Sequence, residues 1–243
     1  DDEGREIIAA MRAWGLTTDG VQRDAKRSTG RVGVVFESGE PAYDIVHPCA
    51  YDAIEVSSPV DGGWLYHGSL ATRDPASRRA LDALTGDDRL TVFVDVNLRD
   101  PWWDKSTVLA QLQRADWVKL NQDELRRIGP TGLDDNAAIE ALVERYDLDG
   151  ALVTYGASGA VMLTRQDGFV RAVPQGNTEV VDTVGAGDAF AAVCILGLRL
   201  EWPIAQVLER AQSFASRVVA QQGAISTDTE LYRPLLAQWG LAE

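Results

Sequence analysis

"VVDTVGAGDAF", Val180 to Phe190, places three small residues, Gly185, Ala186 and Gly187, directly before an acid, Asp188, and then runs into the apolar stretch "AAVCILGLRL". Glycines here could serve only a tight turn. They could equally leave backbone N–H groups bare so that an anion can approach. The stretch that follows is strongly helical in character, so Asp188 is expected in the first helical turn. N–H groups there have no partner within the helix, and the helix dipole adds partial positive charge. Such an end is a ready anion site. A carboxylate beside it stays ionised and suits removal of a proton from a hydroxyl that attacks phosphorus. Taken alone, the same residues also read as a structural turn with Asp188 as a helix-start residue. A dinucleotide fingerprint matches only weakly, because its third glycine would fall at Phe190, and nothing reads as a Walker A loop.

The rest of the chain sets this turn in an alternating pattern. Its 243 residues are 45% hydrophobic and 25% charged, an ordinary globular composition. The 23 basic and 37 acidic residues give a net charge of −14, a field that repels nucleic acid and anionic membrane, so neither is an expected partner. Two cysteines, Cys49 and Cys194, form no disulfide framework; Cys194 lies in an apolar run and reads as a core thiol. The opening "DDEGREIIAAM" has no signal-peptide character, and the expected location is cytoplasmic.

Helical spacing puts Ile7, Ile8, Met11 and Trp14 on one face, with Gly15 as the stop. "GRVGVVFESGEPAYDIV" reads as a hairpin turning at Ser38–Pro41, and the region 29–47 as a small β-flap. Thereafter strands ("GGWLYHGSL", "LTVFVDVN", "DWVKLN", "GALVTYG") alternate with helices, and "GAVMLTRQDGFVRAVP" reads as a strand pair. This implies an α/β fold with a mostly parallel sheet covered on both faces. The polar residues gather just beyond strand ends: Asp95, Asn97 and Arg99; Asn121 and Glu124; Thr154, Gly156 and Gly159; then Asp188. Ligands of open α/β sheets bind at the carboxyl ends of the strands. Asn121 and Glu124 also have the spacing of a helix cap, and both roles can hold at once. Arg99 could pair with Asp100 or Asp104. His67 reads as a near-core histidine, and Trp102 and Trp103 as covers for the site or the sheet end.

With these residues in hand, "DTVGAGDAF" resembles the C-terminal signature of the ribokinase-like (PfkB) carbohydrate kinases. "VDVNLRDPWW" is similar to the D-x-N-x-R segment of their fructokinase-like members, "KLNQDE" to their N-x-x-E motif, "VTYGASGAVM" to their T-x-G-x-x-G turn, and "QQGAIS" to the loop near the nucleotide base. The resemblance implies a single ribokinase-like kinase domain over residues 1–243, incomplete at its N-terminus, where the family's first strand and glycine pair are not seen. It implies Asp188 as catalytic base and Gly185, Ala186 and Gly187 as the anion hole. It implies Thr154, Gly156, Gly159, Asn121 and Gly223 as ATP-binding, and Arg99 and Asn97 as contacts to substrate or phosphate. Glu124 would act on Mg²⁺ through water. Asp182, with the loop from Gly223 to Thr227, would make a monovalent-cation site suited to K⁺. Gln212 stands where many members have Asn beside the adenine. The implied reaction is ATP-dependent phosphorylation of a sugar, fructose first, with homodimer formation through the flap. The alternatives are a kinase for another sugar, sugar acid or nucleoside, or a non-catalytic sugar- or nucleotide-binding homologue.

Overall fold

The computed structural model describes residues 1–37, 40–56, 60–175, 178–226 and 228–241, with backbone alone for 34–37 and 40–43. The expected turn at Ser38–Gly39 and the end of the Gly223–Thr227 loop lie outside the described residues. The chain divides into two compact units: residues 1–91 with 98–104, and residues 92–97 with 105–243. Among the described residues no helix is long and apolar enough to cross a membrane.

In the first unit, helix α1 (Asp2–Ala13) starts at an Asp1 cap whose carboxylate accepts the Gly4 N–H at 3.0 Å. It ends where Gly15 turns left-handed at φ 75°, with Leu16 N–H bonding back to the Met11 carbonyl at 2.9 Å. The packed face differs from the expected one. Ile8 is buried, whereas Ile7 is 49% and Trp14 45% exposed. The side that faces inward is Gly4–Ile8–Met11, one row at helical spacing; Gly4 lies so close to Thr29 that an added Cβ would meet its Oγ1 at 2.9 Å.

The hairpin is present as β1 (Val32–Glu37) and β2 (Glu40–Ile45), antiparallel with Val32 opposite Ile45. Strand β3 (Gly63–Gly68) and helix α2 (Pro75–Leu84, with Pro75 in its first turn) follow. The polar centre of this unit is Arg73, whose side chain is 3% exposed. Its guanidinium grips the buried Asp52 carboxylate at 2.7 and 2.8 Å, donates to the Val46 carbonyl, and lies over the rings of Tyr51 and Trp102. Burial works against the Asp52 charge, but Arg73 and the Cys49 N–H outweigh it and hold that carboxyl below its ordinary pKa. One residue thereby ties the base of the hairpin, the turn at Ala50–Ala53 and the segment after Arg99.

The second unit contains the end of β4 (Leu90–Asp95), then β5 (Trp117–Asn121), β6 (Gly150–Thr154), β7 (Ala160–Thr164) and β8 (Gly168–Ala172), neighbours in that order. β4, β5 and β6 are parallel; β7 and β8 continue antiparallel, as the strand pair in the sequence requires. Buried on both faces, the parallel strands are almost wholly apolar. Helices α3 (Lys105–Leu112), α4 (Gln122–Ile128) and α5 (Asp135–Tyr146) connect the strands. Helices α6 (Ala186–Arg199) and α7 (Ile204–Val218) pack a core of Leu152, Met162, Phe190, Cys194 and Leu208. Helix α8 (Arg233–Gln238) closes it through Leu235 and Trp239, with Arg210 stacked 4.0 Å from the Trp202 ring. The mixed sheet with flanking helices is the α/β architecture expected, with the antiparallel pairs β6–β7 and β7–β8 beside the parallel ones.

Replacing Arg73 by Met leaves Asp52 buried without its partner. The expected loss is about 3–5 kcal/mol of folding stability, the usual cost of stranding a buried charge, read from urea denaturation. Melting unchanged within a few degrees would show that the guanidinium does not anchor this unit.

Candidate active site

The carboxyl ends of β5 and β6 lie side by side, with Asn121 opposite Thr154 in register. Thr154 Oγ1 approaches the Leu120 carbonyl at 3.4 Å, the long end of a hydrogen bond. After Thr154 the chain makes a short turn in which Gly156 and Gly159 take φ of 55° and 95°. A Cβ on Gly159 would meet the Ala172 carbonyl at 2.1 Å, so the glycine is required by space as well as by conformation. Asn121 caps α4: its Oδ1 accepts the Glu124 N–H at 2.9 Å, and Glu124 Oε2 accepts the Asn121 N–H at 2.8 Å. The cap reading of this pair is therefore realised. It fixes a buried carboxylate, 5% exposed, at the strand end.

The glycine-rich turn ends at Gly185, the N-cap of α6, which is left-handed at φ 80°. A side chain there would collide with Ala224, whose Cβ stands 2.5 Å from the position a Cβ would take. Gly185 thus seats the Gly223–Ala224 loop against the helix start. Asp182 holds the same loop: its two carboxylate oxygens accept the Val184 N–H at 3.0 Å and the Gly223 N–H at 2.9 Å. These backbone donors push its pKa down.

Asp188 lies in the first turn of α6, as expected, whereas Ala186 and Gly187, expected as the last residues of the turn, are already the first two residues of the helix because the turn ends at the left-handed Gly185. The Ala186 N–H bonds to the Thr183 carbonyl at 3.3 Å. The Gly187 and Asp188 N–H groups belong to the first turn, where the helix supplies no acceptor. Both residues are exposed. The local arrangement is a helix N-terminus open to solvent with a carboxylate in its first turn.

Lys119, in the middle of β5, was not among the sequence candidates. Its ammonium sits within 3.4 Å of the position a Gly187 Cβ would take, and is gripped by both Asp95 oxygens at 2.9 and 2.8 Å. Lys119 and Asp95 are opposite one another on β5 and β4, with side chains 8% and 2% exposed. A charge inside the apolar run "WVKLN", beside a strand ending in Asp95, was the available signal. Cys194 is buried as expected, and burial drives its thiol pKa far up.

Of the remaining candidates, Asn97 and Gln212 belong to the second unit and His67, Arg99, Trp102 and Trp103 to the first. Asn97 follows β4 at a positive φ of 42°. Arg99, in the first unit, is exposed and donates to the Leu98 carbonyl at 3.2 Å. Trp103 Nε1 donates to Asp100, and Trp102 stacks on His47 at 4.8 Å between ring centres. His67 bonds the Gly68 carbonyl through Nδ1; burial lowers its pKa and leaves Nε2 without a partner. Gln212 reaches Ser216 within α7 at 3.5 Å. Among the described residues, His47, Asp52 and Asp74 have ligand atoms close enough to share a cation. The Arg73 guanidinium already fills that role for Asp52.

Comparison with known proteins bears out the ribokinase-like fold. The model of the pfkB family carbohydrate kinases matches residues 1–230. A fructokinase of Escherichia coli is 32% identical, over 92% of this chain and 80% of its own length. An aminoimidazole riboside kinase of Salmonella typhimurium is 26% identical, over 93% of this chain and 75% of its own. The crystal structure of a fructokinase from Vibrio cholerae O395, in its fructose-, ADP- and calcium-bound form, superposes with a TM-score of 0.81 at 24% identity. That alignment covers 97% of this chain and 82% of the other.

Gly185→Ala forces a left-handed alanine into Ala224. It is expected to cost about 1–3 kcal/mol and to free the 223–226 loop, seen as lower urea stability and faster amide exchange at Gly223. Wild-type exchange in that loop would contradict the contact.

Proposed function

The chain belongs to the pfkB family of carbohydrate kinases, phosphotransferases with an alcohol group as acceptor, and we propose that it transfers the γ-phosphoryl of ATP to a sugar hydroxyl, fructose being the first candidate. The observation that carries this reading is the first turn of α6, where Asp188 shares an exposed helix start with the Gly187 N–H. Charge spreads over the transferred group in the transition state, so donors fixed before reaction are the main catalytic tool. Asp188 takes the proton of the attacking hydroxyl. Gly185, Ala186 and Gly187 form the anion hole, with the Gly187 N–H as its principal donor, since Ala186 is turned to Thr183.

Thr154, Gly156, Gly159, Asn121 and Gly223 hold the nucleotide in this proposal. Val184 and Ile225, 50% and 60% exposed, flank the Gly185–Ala224 contact in sequence and offer apolar surface for its base. Arg99 and Asn97 meet phosphate or sugar. Glu124 and Asn121 offer one carboxylate and one amide, a donor set suited to a hard divalent cation carried mostly by phosphate and water. Mg²⁺, when bound, neutralises phosphate charge. Asp182 is the proposed monovalent-cation residue, for K⁺. The β1–β2 hairpin covers the sugar and pairs with that of a second copy in a homodimer.

Fructose is favoured by the Escherichia coli relative; the relative named as an aminoimidazole riboside kinase supports a ribosyl substrate as second reading. ADP release from Mg²⁺-ATP, followed across fructose, other sugars, sugar acids, aminoimidazole riboside and adenosine, separates them. One acceptor is expected to drive turnover. Asp188→Asn should lower that kcat by about 10²–10⁴-fold while ATP affinity is kept, the usual weight of a general base. No acceptor-dependent release favours a binding protein instead; turnover by the mutant as fast as wild type removes Asp188 as the base. Glu124→Gln preserves both cap hydrogen bonds. Its melting should stay within a few degrees while the Mg²⁺ concentration for half-maximal rate rises several-fold. An unchanged Mg²⁺ dependence would limit Glu124 to the cap.

A further inference from the structure

Lys119 and Asp95 form a buried ion pair that packing alone does not explain. Charges on parallel strands are costly to bury, and an apolar pair of similar volume is often as stable or more so. The geometry points to another use. The ammonium lies under Gly187, the second residue of α6, while the other side of that residue is exposed. Lys119 directs two N–H groups to the two Asp95 oxygens, and the third N–H of the ammonium remains for another partner. Cys194, two turns along α6 and wholly buried, feels both charges, so the pair sits in a low-dielectric wall on the inner side of the helix start. Gly187 has no need of glycine for its backbone conformation, which is helical. A Cβ there would just touch the ammonium, at 3.4 Å, so Gly187 and Lys119 are close neighbours.

We propose that Lys119, oriented by Asp95, is a positioning residue for phosphoryl transfer. Its buried charge adds to the helix dipole at the Gly187 and Asp188 N–H groups and steadies the transferred group on the far side of Gly187. Charge in a dry site acts far more strongly than in water and requires no reorganisation as the reaction proceeds. The proposal rests on the kinase reading, and two separate readouts distinguish their failures.

The test compares wild type with the neutral pair Asp95→Asn/Lys119→Met, which leaves no stranded charge. Kinetics with the active acceptor are joined by calorimetric titration of Mg²⁺-ADP with and without aluminium fluoride, a mimic of the transferred phosphoryl. The variant should melt within a few degrees of wild type and keep KM for ATP and acceptor within about three-fold. Its kcat should fall by about 10²-fold, at the low end of what one anion-hole donor supplies, and aluminium fluoride should no longer tighten ADP. If the neutral pair does not fold, Asp95→Asn/Lys119→Gln, which keeps a polar pair across the strands and removes both charges, tests the same role. Its kcat and its response to aluminium fluoride should fall as in the first variant. A wild type that turns over, with kcat within two-fold and equal ADP tightening in these variants, overturns the role of Lys119 alone. A wild type that neither turns over nor tightens ADP overturns the kinase reading and this role with it.

Discussion

At Gly185 the backbone turns left-handed, and Ala224 stands where a side chain would be. Most of the candidate site depends on that contact. It fixes where α6 begins, and so which N–H groups are left without helical acceptors. It brings the Gly223 loop to the helix start, where Asp182 bonds Gly223 and Val184 together. It sets Gly187 over Lys119 and Asp188 in the exposed first turn. The helix beyond is held by a core of Phe190, Cys194 and Leu208, so the first turn is presented by a rigid element.

Parallel strands account for the other half. A parallel strand buried on both faces can carry polar residues with least cost at its end, and β5 and β6 do so with Asn121 and Thr154 in register. The cap at Asn121 and Glu124 shows how one pair of residues can serve both fold and ligand. Satisfying the start of α4 also fixes a buried carboxylate at the strand end. Lys119 is the exception to the apolar rule, and its partner Asp95 stands opposite on the neighbouring strand.

Much of this was legible because the signals were local. The three small residues before Asp188, the spacing of Asn121 and Glu124, and the strand–helix alternation each lie within a dozen residues and have a direct physical reading. What was not legible depended on distant partners. Arg73 draws on Val46, Tyr51, Asp52 and Trp102, which no periodicity connects. Lys119 finds Asp95 24 residues away through strand register, and Gly187 through the packing of α6. The inward face of α1 was misjudged because Ile7 and Trp14 fit helical spacing as well as Gly4 does; close approach to Thr29 selects the glycine side.

The central claim is that the start of α6 receives the phosphoryl group and Asp188 the hydroxyl proton. A crystal structure with a non-hydrolysable ATP analogue and the acceptor tests it most directly. The account predicts the terminal phosphate on the Gly187 and Asp188 N–H groups, with an acceptor hydroxyl within hydrogen-bond reach of the Asp188 carboxylate. A phosphate bound elsewhere, or an acceptor whose hydroxyls all lie away from Asp188, would contradict it.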